Sequence, residues 1–434
     1  MKQSVILLLL LFAGLIGAQN SVSGTFSPAE TYTFAFLYKA TPNGAKFVDR
    51  ARLDSNGSFT IALDSTQASG MYKIVYAVPV EENNFDFIYN GKEAVAFEFN
   101  PKTGVVFTES RENKLWASYM KSMGVVNQTI SHYYQNDGED PKAFKGIFKT
   151  LEDTQNAYEN SAKGMLVLEL IRANHPYIPA NYEDISTYSN QLKSTFFDHI
   201  DFDSDLLNSS SFITDRLNSY MFGGSDTPSN YAYKSKVSDI AKVISTSRDG
   251  TQLRVYRFLW EGFVQLNNDE LTTYIANNYL LPLANSLNNT DLVKRIEAQN
   301  RTAIGVLAPD FSITTTSMST SLHKLKDETT YVLIFWSSGC SHCLKEIPMV
   351  HDLLKDNNTY TVIAYGLEDD VAQWQQTITN FPTFLHVYGP KKWDNPIVEE
   401  YNLTATPTYL ILDSDKRIMA KPENFESLER FINR

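Results

Sequence analysis

Cysteine is nearly missing from this sequence: Cys340 and Cys343 stand two residues apart, with no third in 434 residues. That excludes a scaffold built on cystines, which repeats them along a short chain. A chain of this length has core enough without a staple closing so small a loop. The pair therefore reads as a working dithiol. Positive charge is also scarce, with 38 Lys and Arg against 50 Asp and Glu and a net charge of −12. This argues against nucleic acid as a partner, because binding it needs clustered cations that displace counterions. Of the seven histidines, His132, His175 and His199 lack a second ligand at metal-binding spacing. After Ile16 no apolar run is long enough to span a bilayer. No internal repeat is present either, so a solenoid is not expected.

What is present divides the chain. A basic start at Lys2, an apolar run from Val5 to Ile16 and the small pair Gly17-Ala18 read as a secretory signal over 1–18. The protein is therefore expected to be exported, periplasmic or elsewhere in the cell envelope, with no stable membrane insertion after cleavage. No cysteine follows the run, so a lipid-modified N-terminus is not expected. Residues 19–108 read as a small antiparallel β-sandwich: Thr31–Tyr38, Ser58–Leu63, Met71–Val80 and Ala94–Phe99 alternate or are β-branched, with Asn56-Gly57 and Asn90-Gly91 as turns. Residues 109–301 read as helical. Phe144, Ile147, Phe148, Leu151, Tyr158, Ala162 and Met165 form one apolar stripe, and similar stripes run over Leu253–Val264 and Leu271–Leu280. Asn174-His175-Pro176 and Gly223-Gly224 mark breaks between helices. Asp201, Asp203 and Asp205 imitate a calcium loop, but Leu206 stands where the turn glycine belongs and Phe212 where a bidentate Glu belongs. A solvated acidic turn is expected there.

Residues 302–434 alternate strand and helix. Tyr331–Trp336 is a fully apolar strand, Leu344–Leu354 a helix, Thr361–Tyr365 a strand, Val371–Ile378 a helix and Phe384–Tyr388 a strand. Thr408–Leu412 and Arg417–Ala420 flank a turn, and Phe425–Ile432 closes as a helix. The order implies an α/β layer fold with a mixed sheet. Cys340-Ser341-His342-Cys343 falls where the first strand gives way to the first helix. Free backbone N–H groups and the positive dipole end favour a thiolate there. Cys340 lies outside the first turn and is the candidate nucleophile; Cys343 lies one turn in and is the candidate resolving thiol. His342 adds an imidazole that, when protonated, favours the same thiolate.

From about Gly305 onward the chain resembles the exported thioredoxin-like oxidoreductases of the TlpA and ResA branch. The residues that carry this are Gly305-Val306-Leu307-Ala308-Pro309-Asp310-Phe311, Phe335-Trp336-Ser337-Ser338-Gly339-Cys340-Ser341-His342-Cys343, Glu346 with Pro348, and Ala405-Thr406-Pro407-Thr408. The resemblance implies a thioredoxin-like fold and thiol–disulfide exchange through Cys340 and Cys343. It implies Glu346 as the carboxylate that handles protons for Cys343, a place on the same helical side that its spacing permits. It implies a cis bond between Thr406 and Pro407, which with Trp336 and His342 would form the substrate side. No cofactor beyond the redox-active disulfide Cys340–Cys343 is implied and no metal, while the partners are protein thiols or disulfides and an upstream envelope redox protein. Two positions depart from the pattern: Ile334 stands where thioredoxin has a buried Asp, and Gly339 where Trp is common.

Three other readings compete. A thiol peroxidase shares the Ala308–Phe311 entry, but Leu333 stands where that family has proline; Ser337 does match its hydroxyl position. A metal carrier has soft ligands in the two thiols and His342 but no second motif. A non-catalytic envelope binding protein fits the two-thirds of the chain without recognisable chemistry.

Overall fold

The computed structural model describes residues 20–64, 66–136, 138–223, 229–314, 319–325 and 329–433. The expected signal over 1–18 and the break at Gly224 lie outside them. The chain is multidomain and divides into two compact units, Met1–Thr227 with Asp239–Thr251, and Pro228–Ser238 with Gln252–Arg434. No described helix is long and apolar enough to cross a membrane.

The first unit opens with eight strands: β1 Ser21–Phe26, β2 Phe34–Thr41, β3 Gly44–Arg52, β4 Ser58–Ala62, β5 Gly70–Val75, β6 Asn84–Tyr89, β7 Val95–Asn100 and β8 Gly104–Glu109. They form two four-stranded sheets, β4-β1-β7-β8 and β3-β2-β5-β6. One apolar cluster joins the sheets, with Val22, Phe26, Ile61 and Phe97 from the first facing Leu37, Ile74, Phe87 and Tyr89 from the second. The sandwich is the expected one, and its strand pairs are antiparallel with one exception. β1 pairs with β7 in parallel, Val22 opposite Val95. Alternation specifies which face is buried and says nothing of a partner's direction; a parallel pair needs a long connection, and the remaining strands supply it. The strand expected over Met71–Val80 stops at Val75, because the chain turns at Pro79, whose carbonyl accepts the N–H groups of Glu82 and Asn83.

Helices follow, the longest being Arg111–Gln135 and Pro141–Ser161. The expected stripe reaching Met165 is cut short at Ala162, since Gly164 takes a positive φ of 77° that a helix cannot continue. The acidic turn pairs with a cation: Asp203 and Asp205 both lie 3.3 Å from the Arg248 guanidinium.

The second unit carries helices Gln252–Gln265 (the remainder of Asp249–Gln265), Asp269–Ile275, Leu281–Ser286 and Thr290–Arg301, then the C-terminal sheet domain. This unit runs through residue 302, where a boundary was expected. Asp269, only 8% exposed, pairs with Lys421 at 2.8 Å and accepts the Ile304 N–H at 2.8 Å, while Asn402 donates to Gln299. After a short hairpin, β9 Ser312–Thr314 with β10 Ser319–Ser321, come β11 Thr330–Trp336, β12 Tyr360–Glu368, β13 Leu385–Pro390, β14 Thr408–Leu412 and β15 Ile418–Ala420. Their order is β13-β12-β11-β14-β15, with β11, β12 and β13 parallel, β14 antiparallel to β11 and β15 antiparallel to β14. The central strand is buried on both faces, which explains its unbroken apolar run. Tyr331, Leu333 and Phe335 enter one core layer; Val332, Ile334 and Trp336 enter the other, together with Cys343.

Candidate functional site

β11 ends at Trp336, and after Ser337-Ser338-Gly339 the chain enters the helix Ser341–Leu354. Cys340 is its N-cap: extended in backbone, with its sulfur accepting the Cys343 N–H at 3.4 Å. Its thiol also lies 3.4 Å from the Thr406 carbonyl, to which it donates. The Thr406–Pro407 bond is cis. Two segments far apart in the sequence thus meet at one sulfur, as the spacing of the cysteines alone could not require.

The two thiols have opposite surroundings. Cys340 is half-buried and Cys343 wholly buried, and both are free thiols. Partial burial opposes ionisation of Cys340, but hydrogen bonds from the Cys343 thiol and N–H, from the Thr406 side chain and from the His342 N–H outweigh it and hold its pKa below the ordinary thiol value. Cys343 is pushed up to about 12, first by burial and then by the neighbouring Cys340. His342 is exposed, and what it gives Cys340 is its backbone N–H.

Trp336, expected on the substrate side, is fully buried against Phe381, so it supports the site from beneath and offers no surface to a client. Its position at a strand end hid that the ring follows the inward face. Glu346 points at Tyr409, whose hydroxyl donates to it at 2.9 Å, and it also accepts the Phe425 N–H at 3.0 Å, capping the last helix. Burial, then the Glu346 charge, raise the Tyr409 pKa, and the Cys343 sulfur adds to the same shift. Tyr409 therefore stands electrostatically between Glu346 and Cys343.

Sequence reasoning missed Glu368, at the C-terminal end of β12 and 2% exposed. Its carboxylate accepts the Ser338 N–H at 2.5 Å, the Ser338 hydroxyl at 2.9 Å and the Ser337 hydroxyl at 3.4 Å. Gln373 donates to the Ser338 carbonyl at 3.1 Å from the other side. The loop that presents Cys340 is therefore clamped by two side chains. Burial raises the Glu368 pKa against the lowering effect of those bonds. The available signal was a carboxylate closing an apolar strand at the edge where open α/β sheets place their sites. Among the described residues no group of three or more His, Cys, Asp and Glu side chains is placed to hold a metal.

Residues 327–418 match the thioredoxin-like family model, and the C-terminal domain is thioredoxin-like. No curated protein matches the chain. Among solved structures, the thioredoxin domain of a thiol-disulfide oxidoreductase from Bacteroides vulgatus is 24% identical, covering 30% of this chain and 96% of that one, with a TM-score of 0.27. A thiol:disulfide interchange protein from Bacteroides sp. is 22% identical over 31% of this chain and 90% of that one, with a TM-score of 0.28. A thioredoxin-like protein from Bacteroides caccae is 18% identical over 59% of this chain and 96% of that one, with a TM-score of 0.33.

Proposed function

We propose that the chain is an exported thiol–disulfide oxidoreductase of the TlpA and ResA branch, working in the periplasm on protein thiols or disulfides through Cys340 and Cys343. The observation that carries this reading is the division between the two thiols: an accessible one whose thiolate is favoured, and a buried one held as thiol one helical turn away. The Cys340 thiolate attacks one sulfur of a client disulfide, forming a mixed disulfide and releasing the other client sulfur as thiolate. Cys343 then loses its proton and attacks the Cys340 sulfur, which expels the second client thiolate and leaves the Cys340–Cys343 disulfide. Two electrons pass to the client, and a dithiol of an upstream envelope redox protein resets the pair. With a strongly oxidising partner the same steps run in reverse. Glu346, acting through the Tyr409 hydroxyl, is the carboxylate we assign to the Cys343 proton, while Thr406 and Pro407 border the attacked sulfur on the client side.

The test is a pair of single variants assayed on a model disulfide. Cys340→Ala should abolish exchange, and Cys343→Ala should accumulate mixed disulfides held through Cys340. Adducts held through Cys343, or full activity without Cys340, would overturn the assignment.

A further inference from the structure

The first unit contains a cavity that the redox chemistry does not use, of about 590 Å³, between the β5–β6 face of the sandwich and the helices beside it. That volume lies within the range of about 300–1,000 Å³ typical of small-molecule sites. The apolar part of its walls is mostly rings and thioethers, including Met71, Phe107, Trp116, Met120 and Phe212, and polar side chains line the rest.

The polar groups in the lining are mostly used up by one another. Lys73 pairs with Asp86 at 2.8 Å and donates to Asn84 at 2.6 Å, and Asp86 also accepts the Ser211 N–H. Asn113 spends both ends of its amide on the Ile88 backbone. Asp215, which is exposed, and Arg216, which is half-buried, are not paired with an opposite charge among the described residues. The Arg216 guanidinium donates to the Asn174 side chain at 2.7 Å and lies against the faces of Phe196 and Phe212, with 5.2 and 5.5 Å to the ring centroids. It forms no ion pair among the described residues, and desolvation pulls its pKa down. A cation taken partly out of water without an anion is costly unless something supplies the charge.

We infer that this cavity binds a monoanionic carboxylate carried on an aromatic or branched apolar group, with Arg216 taking the carboxylate and the ring-lined wall the apolar part. A guanidinium fork matches a carboxylate in two parallel hydrogen bonds. One unpaired cation answers one negative charge, and the Asp86 and Asp215 carboxylates in the same lining oppose a second, which disfavours a dianionic phosphate. The methionines let the wall adapt to the group it receives. Free carboxylates of this kind and the C-terminus of a peptide share this chemistry.

Isothermal titration calorimetry on the whole protein separates the outcomes. N-acetyl-L-phenylalanine and a short peptide ending in Phe with a free carboxylate are compared with N-acetyl-L-phenylalaninamide. Binding of an acid is expected to exceed that of the amide by about tenfold or more, the difference one charged hydrogen-bonded pair makes. Preference for the peptide over the amino-acid derivative assigns the site to chain ends; the opposite preference assigns it to a small metabolite. Arg216→Met, which keeps the length of the side chain, should reduce acid binding to the level of the amide, and Arg216→Lys should restore part of it. Equal binding of acid and amide, absence of binding by both acids, or unchanged binding in Arg216→Met overturns the inference. Should Arg216→Met not fold, the acid and amide comparison on the natural chain decides alone. The outcome is independent of the cysteines, so it stands or falls separately from the redox reading.

Discussion

Two residues separate Cys340 from Cys343, yet a helix N-cap favours ionisation of one while the core suppresses ionisation of the other. With its pKa near 12, Cys343 has about one thiolate in ten thousand molecules at pH 8. Iodoacetamide should therefore modify Cys340 alone in the folded reduced protein, with a midpoint on the pH axis below the ordinary thiol value of 9.0. Mass spectrometry of the peptides reads this directly, and comparable labelling of both cysteines would contradict the assigned environments. Glu368 is the other decisive single residue. Its raised pKa means the folded protein holds the proton more tightly than the unfolded chain does. The stability that linkage contributes is fully present below the unfolded carboxylate value and is lost as pH rises through the folded one. Glu368→Gln removes the titration, so its stability relative to the natural chain should improve as pH rises above about 4, the unfolded carboxylate value. A gap that stays constant in urea titrations across that rise would remove the effect. Glu368→Ala should instead cost about 1–3 kcal/mol, because the Ser338 N–H loses its acceptor in a buried place.

At the scale of elements, the run Tyr331–Trp336 could be read as a central strand because both of its faces are covered, and the helix Val371–Ile378 followed from its periodicity. The stripe over Leu271–Leu280 proved less regular. Its second half, Ala276–Leu280, is a wide π turn before Leu281–Ser286. Pro282 offers no N–H and its ring would clash with a carbonyl four residues back, so the widened turn is where the helix accommodates it. Close approach is equally invisible to periodicity. A Cβ placed on Gly366 in β12 would meet the Trp374 indole nitrogen at 2.6 Å. Gly366→Ala should then destabilise the protein by about 1–3 kcal/mol through overpacking, read from the urea midpoint. A midpoint equal to that of the natural chain would show that the Trp374 ring moves aside without cost.

Across the whole molecule, the second compact unit joins helices from residue 252 onward to the thioredoxin-like domain. Asp269 is the joint, since Lys421 and the Ile304 N–H both depend on it. A fragment starting at Ala303 leaves Lys421 without its anion and exposes the surface that the helices cover. A fragment starting at Gln252 keeps both, and it should melt several degrees higher. A loss of about 1 kcal/mol shifts the melting point of a domain this size by roughly 2–8 °C. Equal melting of the two fragments would show that the helices before residue 302 add nothing to the stability of the domain after it.

The kinds of element, the place of the dithiol between a buried strand and a helix, and the order of the cysteines' exposure were legible in the sequence. These follow from local properties: the period of apolar residues, turn chemistry and the geometry of one helical turn. Which distant groups complete the site depends on how strands and helices pack. Thr406 reaches Cys340 and Tyr409 reaches Glu346 across more than 60 positions, and Glu368 clamps the Cys340 loop from 30 positions away. The same is true of the parallel pairing of β1 with β7 and of Arg216 facing its cavity without an anion. Contacts of this kind depend on which strand lies beside which, and a periodic pattern records only whether a residue faces inward.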